Sequence, residues 1–94
     1  MPSTYDAWRE SRKRWIAKTS ALIAEAKNVP CMDCRGVFPS VCMDFDHRPD
    51  EAKLFTISHG KGQYGEEKIL AEIAKCDVVC ANCHRLRTFG RAML

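Results

Sequence analysis

The sequence of 94 residues has neither a long apolar run nor an apolar leader. A membrane-spanning helix needs about 18 or more consecutive apolar residues, so we expect no membrane partner. Residues 1–15 lack the apolar segment of a secretory signal, which predicts an intracellular, cytoplasmic protein. The chain is also too short for two domains, a large α/β enzyme fold or a repeat array. What remains is one small globular domain.

Cysteine is the abundant exception, with six residues in the chain. In the absence of a secretory signal, metal binding explains this number better than a disulfide framework does. The net charge of +3 is unevenly distributed: residues 1–30 hold six basic and three acidic residues, and residues 31–94 hold nine of each. The excess positive charge therefore lies in the N-terminal segment.

Residues 4–28 have the apolar spacing of one amphipathic helix. Ser3 or Thr4 can cap its start, and Pro30 ends it because proline disfavours helix at the preceding residue. We treat residues 1–30 as a basic helical segment apart from a domain over residues 31–94. The polar face of this helix either is solvated or contacts nucleic-acid phosphates through Arg9, Arg12 and Lys13. The residues predicted to pack are Tyr5, Trp8, Trp15, Ile16, Leu22, Ile23 and Ala26.

The rest of the chain predicts short elements around two cysteine motifs. We expect strands at 37–38 and 41–45, then a long loop over 50–65 with room for a short strand at 54–57. A helix over 66–75, a strand over 77–79 and a final helix from 84 to about 90 complete the prediction. The fold class is therefore small α+β.

Two CxxC motifs, Cys31/Cys34 and Cys80/Cys83, are the strongest signal. Two thiolates three positions apart can clamp one ion from a tight turn, and two such turns complete a tetrahedral zinc site. A pair of disulfides is the main alternative. Cys42 is left over, as is Cys76, and both are interpreted chiefly as small buried apolar residues. A disulfide between them or a ligand role stays open.

Three further polar residues are not explained by a four-thiolate zinc. Asp46 and His47 end a predicted strand, and His84 opens a helix directly after the last cysteine. A carboxylate and an imidazole on rigid elements can form an open site for a divalent cation. A second imidazole beside it can serve as a general base near neutral pH.

The motifs over 31–34, 45–49 and 79–85, in this order, resemble those of the zinc-containing branch of the HNH nuclease family. The resemblance implies a ββα-metal core with a structural Zn²⁺ on the four cysteines. It further implies that Asp46 and His84 hold a catalytic Mg²⁺ or Mn²⁺ and that His47 activates water. The implied activity is hydrolysis of DNA phosphodiester bonds, by nicking with low sequence specificity. A setting in a phage or bacterium is likewise only implied.

The sequence departs from the family pattern at one position. Lys75 stands where the family has the asparagine that fixes the base histidine, and a lysine cannot accept a hydrogen bond from that ring. Asp77 lies close by and could substitute. Strand alternation also places Asp44 and Asp46 on one face and His47 on the other, so a bend near Pro49 is expected.

Basic residues near the proposed site are candidates for DNA contact. Arg87 and Arg91 share a face of the final helix, with Arg85 near its start and Arg48 as a weaker candidate. The plain alternative is a solvated surface. Two non-catalytic functions also stay open: a zinc module that binds DNA or protein, and an adaptor within a larger DNA-processing machine.

Overall fold

A computed structural model of the chain describes residues 4–93, and the side chains of residues 4–91. The described residues form a small α+β fold, which confirms the predicted class at that level. Two short 3-10 helices, Ser40–Cys42 and Ile57–Gly60, lie in the connections. The main elements are α1 (Thr4–Ala26), β1 (Met43–His47), α2 (Glu66–Ile73), β2 (Cys76–Cys80) and α3 (Ala81–Met93).

The two strands form one antiparallel pair. Met43 lies opposite Cys80, and His47 lies opposite Cys76 at the other end. Because the sheet has two strands, the outer edge of β1 has no strand beside it. The chain enters α3 directly from β2, so the sheet and this helix are fixed relative to each other at one point. That junction lies within the second cysteine motif.

The core of the protein consists of two clusters of buried residues. The first joins Ile23 of α1, Ile57, and Ile69 of α2 with Cys76 of β2. The second consists of Cys31, Met43, Val79 and Cys80, so two residues of the predicted zinc site lie in the core itself. A chain of this size has little apolar area to bury, and the second cluster is correspondingly small.

Helix α1 confirms the predicted helix, but its N-terminal half does not pack as predicted. The buried side chains of α1 are those of Thr19 and Ile23, whereas Tyr5 is 65% and Trp8 57% exposed. The periodicity predicted burial, but the apolar contacts with the core lie in the C-terminal half of this long helix, while Arg12 of the N-terminal half donates to the carbonyl of Gly62. Its first turns therefore extend from the fold, which measures 59 Å in its longest dimension. The predicted cap at Ser3 lies outside the described residues.

Three local predictions were wrong. Residues 37–38 form no strand, and Val37 is 80% exposed. They are followed by Pro39, which has no N–H to donate to a sheet. The segment 54–57 is likewise no strand, and Cys42 is exposed, whereas Cys76 is buried as predicted. None of the helices within residues 4–93 combines the length and the apolar composition that a membrane span requires.

Candidate metal centre and histidine cleft

The four cysteines of the two CxxC motifs converge. Their Sγ atoms all lie within 4.8 Å of one another, and those of Cys34 and Cys80 are 4.0 Å apart. A tetrahedral zinc with bonds of about 2.3 Å separates its sulfur ligands by about 3.8 Å. All four cysteines are free thiols, so the disulfide alternative has no support here. The donor set and its spacing fit a metal such as zinc.

The first CxxC motif forms a knuckle, which here means a tight turn over residues 31–36 that is closed by backbone hydrogen bonds. The N–H of Cys31 donates to the carbonyl of Gly36, and that of Arg35 donates back to the carbonyl of Cys31, both at 2.9 Å. Arg35 adopts a left-handed φ of 64°, which lets the chain reverse within a few residues. The N–H of Met32 donates to Val78, which fastens this knuckle to β2.

Backbone N–H groups also prepare Cys31 for a metal. Burial alone raises the pKa of its thiol, but the N–H groups of Cys34, Cys80 and Asp33 outweigh that effect and lower the pKa to about 6. The N–H of Cys80 lies 3.3 Å from the sulfur of Cys31. Since the thiolate is the metal-binding form, these donors favour the charge state that a cation needs.

Asp46 is nearly buried and is held by two arginines. Arg91 donates to both of its carboxylate oxygens, at 2.8 and 3.1 Å, and Arg87 donates to Oδ2 at 2.9 Å. The Arg91 hydrogen bonds, together with those from Arg87, lower the pKa of Asp46 against the opposing effect of burial. The carboxylate is therefore ionised and fixed in orientation.

His84 lies between two carboxylates of β1. Its Nδ1 is 3.0 Å from Oδ2 of Asp44, and its Nε2 is 3.8 Å from Oδ1 of Asp46. An ionised carboxylate can only accept, so Nδ1–H donates to Asp44, and in the neutral form of the ring Nε2 carries the lone pair. That lone pair lies on the side of Asp46. Hydrogen bonding of this kind fixes metal-binding histidines in many proteins.

His47 makes a different contact, with α2. Its Nε2 lies 2.7 Å from Oε2 of Glu72, a carboxylate that is only 1% exposed. Burial by itself raises the pKa of Glu72, but hydrogen bonds from Lys75, Leu54 and His47 outweigh it and lower the pKa to about 2. Glu72 is thus an ionised acceptor, and Nε2–H of His47 is the donor.

One open cavity of about 270 Å³, the histidine cleft, brings the two histidines together. Its lining includes residues from both faces of β1, with Asp44 on one face and His47 on the other. Asp46, whose convergence with His47 was expected to need a bend near Pro49, is not among the lining residues. The cleft is lined by His47, His84, Asp44, Phe45, Lys27 and Lys53.

The predicted phosphate-contacting arginines differ in how freely they could reach a ligand. Arg87 makes a bidentate pair with Asp33 at 2.6 Å and also donates to Asp46 and Asp77 at 2.9 Å. Arg48 donates to the carbonyls of Ala74 and Cys76. Both side chains are thus used within the fold. Arg91 is exposed but is paired with Asp46, and Arg12 is exposed but donates to the carbonyl of Gly62. Arg85, Arg9 and Lys13 are exposed as well.

Arg87 joins three elements, since its carboxylate partners come from the first knuckle, β1 and β2. Replacing it with methionine should lower the free energy of unfolding by about 2 kcal/mol, because the buried Asp46, the partly buried Asp77 and the exposed Asp33 lose a shared cation. Urea unfolding of the zinc-loaded protein measures this. Arg85→Met on the exposed face of the same helix is the control, expected within about 0.5 kcal/mol of the parent. Equal stability of the two variants would contradict the assignment.

Two contacts were missed from sequence. Glu72 was assigned only to the helix over 66–75, although its spacing to Lys75 is that of an i,i+3 pair. Asp44 was assigned to the same strand face as Asp46, and not as the partner of His84. Both partnerships join residues 25 and 40 positions apart, and such distances leave no local pattern.

No protein-family model, curated protein or solved structure matches this chain. Inferences about its function therefore depend on the chemistry of its own residues. The four cysteines support metal binding directly. The roles of Asp46, His47 and His84 remain predictions.

Proposed function

We propose that the chain is a metal-dependent endonuclease of the HNH type that hydrolyses DNA phosphodiester bonds. The observation that carries the proposal is the placement of three side chains. Oδ1 of Asp46 and Nε2 of His84 are 3.8 Å apart, and His84 shares the cleft with His47. A carboxylate, a metal-binding imidazole and a second imidazole are the groups that hydrolysis with one metal and one base requires.

Asp46 and His84 would hold the cation, Mg²⁺ or Mn²⁺. One carboxylate oxygen and one neutral imidazole nitrogen suit such a cation and leave its other positions to water and phosphate. When bound, the cation would stabilise the negative charge that develops on the phosphate and the departing oxygen. Asp44 would keep the proton of His84 on Nδ1, so that Nε2 remains a lone-pair donor.

His47 would act as the general base. With Nε2–H committed to Glu72, its Nδ1 is the nitrogen that can take a proton from water. The side chain is 14% exposed, which leaves the ring in contact with the cleft yet largely shielded. Such shielding holds the ring in one orientation and limits competing contacts with solvent.

Positive charge surrounds the cleft and extends along α1. Lys27 and Lys53 line the cleft, and Arg91 lies beside Asp46. Arg9, Arg12 and Lys13 are exposed on the projecting half of α1, where the guanidinium of Arg12 lies 5.8 Å from the ring centre of Trp8. These groups would bind backbone phosphates, which carry no sequence information. Low sequence specificity follows.

The test is incubation of the zinc-loaded protein with supercoiled plasmid and Mg²⁺ or Mn²⁺. Nicked circles should accumulate with metal, and His47→Ala should reduce the rate by about 100-fold or more because general-base assistance is lost. His59→Ala, which removes an exposed histidine outside the cleft, is the matched control. Intact plasmid across metals and pH, or equal rates for the parent and His47→Ala, would falsify the nuclease proposal.

A non-catalytic zinc module that binds DNA or protein is the second candidate. The observation that favours it is the pairing of Asp46 with Arg87 and Arg91, which compensates the charge of the carboxylate without a metal ion. Its signature is DNA binding that weakens steeply with salt and is not followed by cleavage. Binding of a labelled duplex to the protein at low salt, together with an intact plasmid in the cleavage assay, would identify this second function.

A further inference from the structure

Glu72 is a buried charge that the proposed hydrolysis does not itself use. Its side chain is 1% exposed, and a carboxylate in that environment is costly unless its oxygens are hydrogen-bonded. Oε1 accepts from Nζ of Lys75 at 3.0 Å, and Oε2 accepts from the N–H of Leu54 at 3.0 Å and from His47 at 2.7 Å. The bond to His47 is the shortest of the three.

Lys75 completes the arrangement. Its Nζ donates to Glu72 and, at 2.8 Å, to the carbonyl of Ala52, so the ammonium fixes the carboxylate against the loop that precedes it. Lys75 occupies the position at which the resembled family has an asparagine. A lysine cannot accept from the histidine, but it can hold an acceptor in place for that purpose.

We propose that Glu72, held by Lys75, is a positioning residue for His47 and replaces the missing asparagine. By accepting from Nε2–H, Glu72 fixes one tautomer and one orientation of the ring, and leaves Nδ1 to face the reaction. The catalytic consequence depends on the proposed nuclease activity, whereas the tautomer does not. A carboxylate behind a catalytic histidine plays this part in other hydrolases.

The tautomer is measured on the zinc-loaded protein by long-range ¹H–¹⁵N correlation at about pH 8.5, where an ordinary histidine is neutral. His47 should carry its proton on Nε2 in the parent and in Glu72→Gln, whose amide oxygen still accepts. In Glu72→Met, which has a similar shape but no oxygen, the preference should disappear. A parent ring protonated on Nδ1 would overturn the proposal.

Cleavage kinetics give the second readout. Glu72→Met should lower kcat by about 100-fold and Glu72→Gln by about tenfold or less, with KM for DNA within about twofold of the parent in both. Glu67→Gln, on the exposed side of the same helix, is the matched control. A folded, zinc-loaded Glu72→Met protein with the parental kcat would contradict the positioning role.

The two readouts separate this inference from the nuclease proposal. If the parent does not cleave DNA but His47 shows the Nε2–H form that Glu72→Met loses, the positioning stands and the nuclease proposal fails. If Glu72→Met does not fold, the tautomer of the parent still decides the question, because a ring protonated on Nδ1 overturns the positioning role on its own.

Discussion

Replacement of Cys80 by serine should unfold most of the chain. Cys80 is 6% exposed, ends β2 and lies in the apolar cluster with Cys31, Met43 and Val79. Bound structural zinc contributes about 10–16 kcal/mol of apparent folding free energy in small domains. A domain of this size is stable by only about 5–15 kcal/mol in total. Loss of one of four ligands therefore removes an amount comparable to the entire stability.

The measurement is helical circular dichroism together with zinc content, and a strong zinc chelator should reproduce the effect in the parent. Cys42→Ser is the matched control, because Cys42 is exposed and lies outside the four-cysteine group. It should bind one equivalent of zinc and melt with the parent. Should Cys80→Ser melt within about 5 °C of the parent, the apolar cores alone would suffice for folding.

Replacement of His84 by alanine should abolish cleavage without unfolding the protein. The variant loses Nε2, the nitrogen that lies 3.8 Å from Asp46, and of the two proposed ligands of the catalytic cation only the carboxylate then remains. We expect a rate at least about 100-fold lower, and weaker Mn²⁺ binding by calorimetry on the zinc-loaded protein. The side chain is 34% exposed, so its removal leaves little empty volume.

Asn82→Ala is the matched control for His84→Ala. Asn82 lies in the same first turn of α3, is exposed, and has no proposed part in the chemistry. It should retain the parental rate, Mn²⁺ affinity and zinc content. If both variants cleave equally well, the cation is held elsewhere or is not needed. If His84→Ala loses zinc as well, its effect belongs to the structural metal instead.

The metal centre was predictable because its signal is local. Each CxxC motif places two thiolates in one turn, and the two pairs have no competing partners of equal strength. The helix over 66–75 and the strand over 77–79 were predictable from apolar periodicity and proved to be α2 and β2 with shifted ends. Signals of this kind depend on neighbours within a few residues.

Contacts between distant residues escaped prediction. The exposure of Tyr5 and Trp8 depends on where the body of the fold ends, and amphipathic spacing does not encode that distance. The pairing of His47 with Glu72 needs α2 to lie against the end of β1, which only the tertiary arrangement decides. The convergence of Asp46 and His47 was expected to need a bent strand. The cleft instead brings His47 together with His84, and Asp46 lies outside its lining.

The two knuckles are separated along the chain by 45 residues, from 35 to 79, which contain β1, α2 and nearly all of β2. Closing a loop of that length costs chain entropy before any bond to the second pair of thiolates can form. Pairing of β1 with β2 brings the ends together and lowers this barrier. Formation of the complete four-cysteine site therefore depends on the pairing of β1 with β2, because that pairing brings the second pair of thiolates to the first.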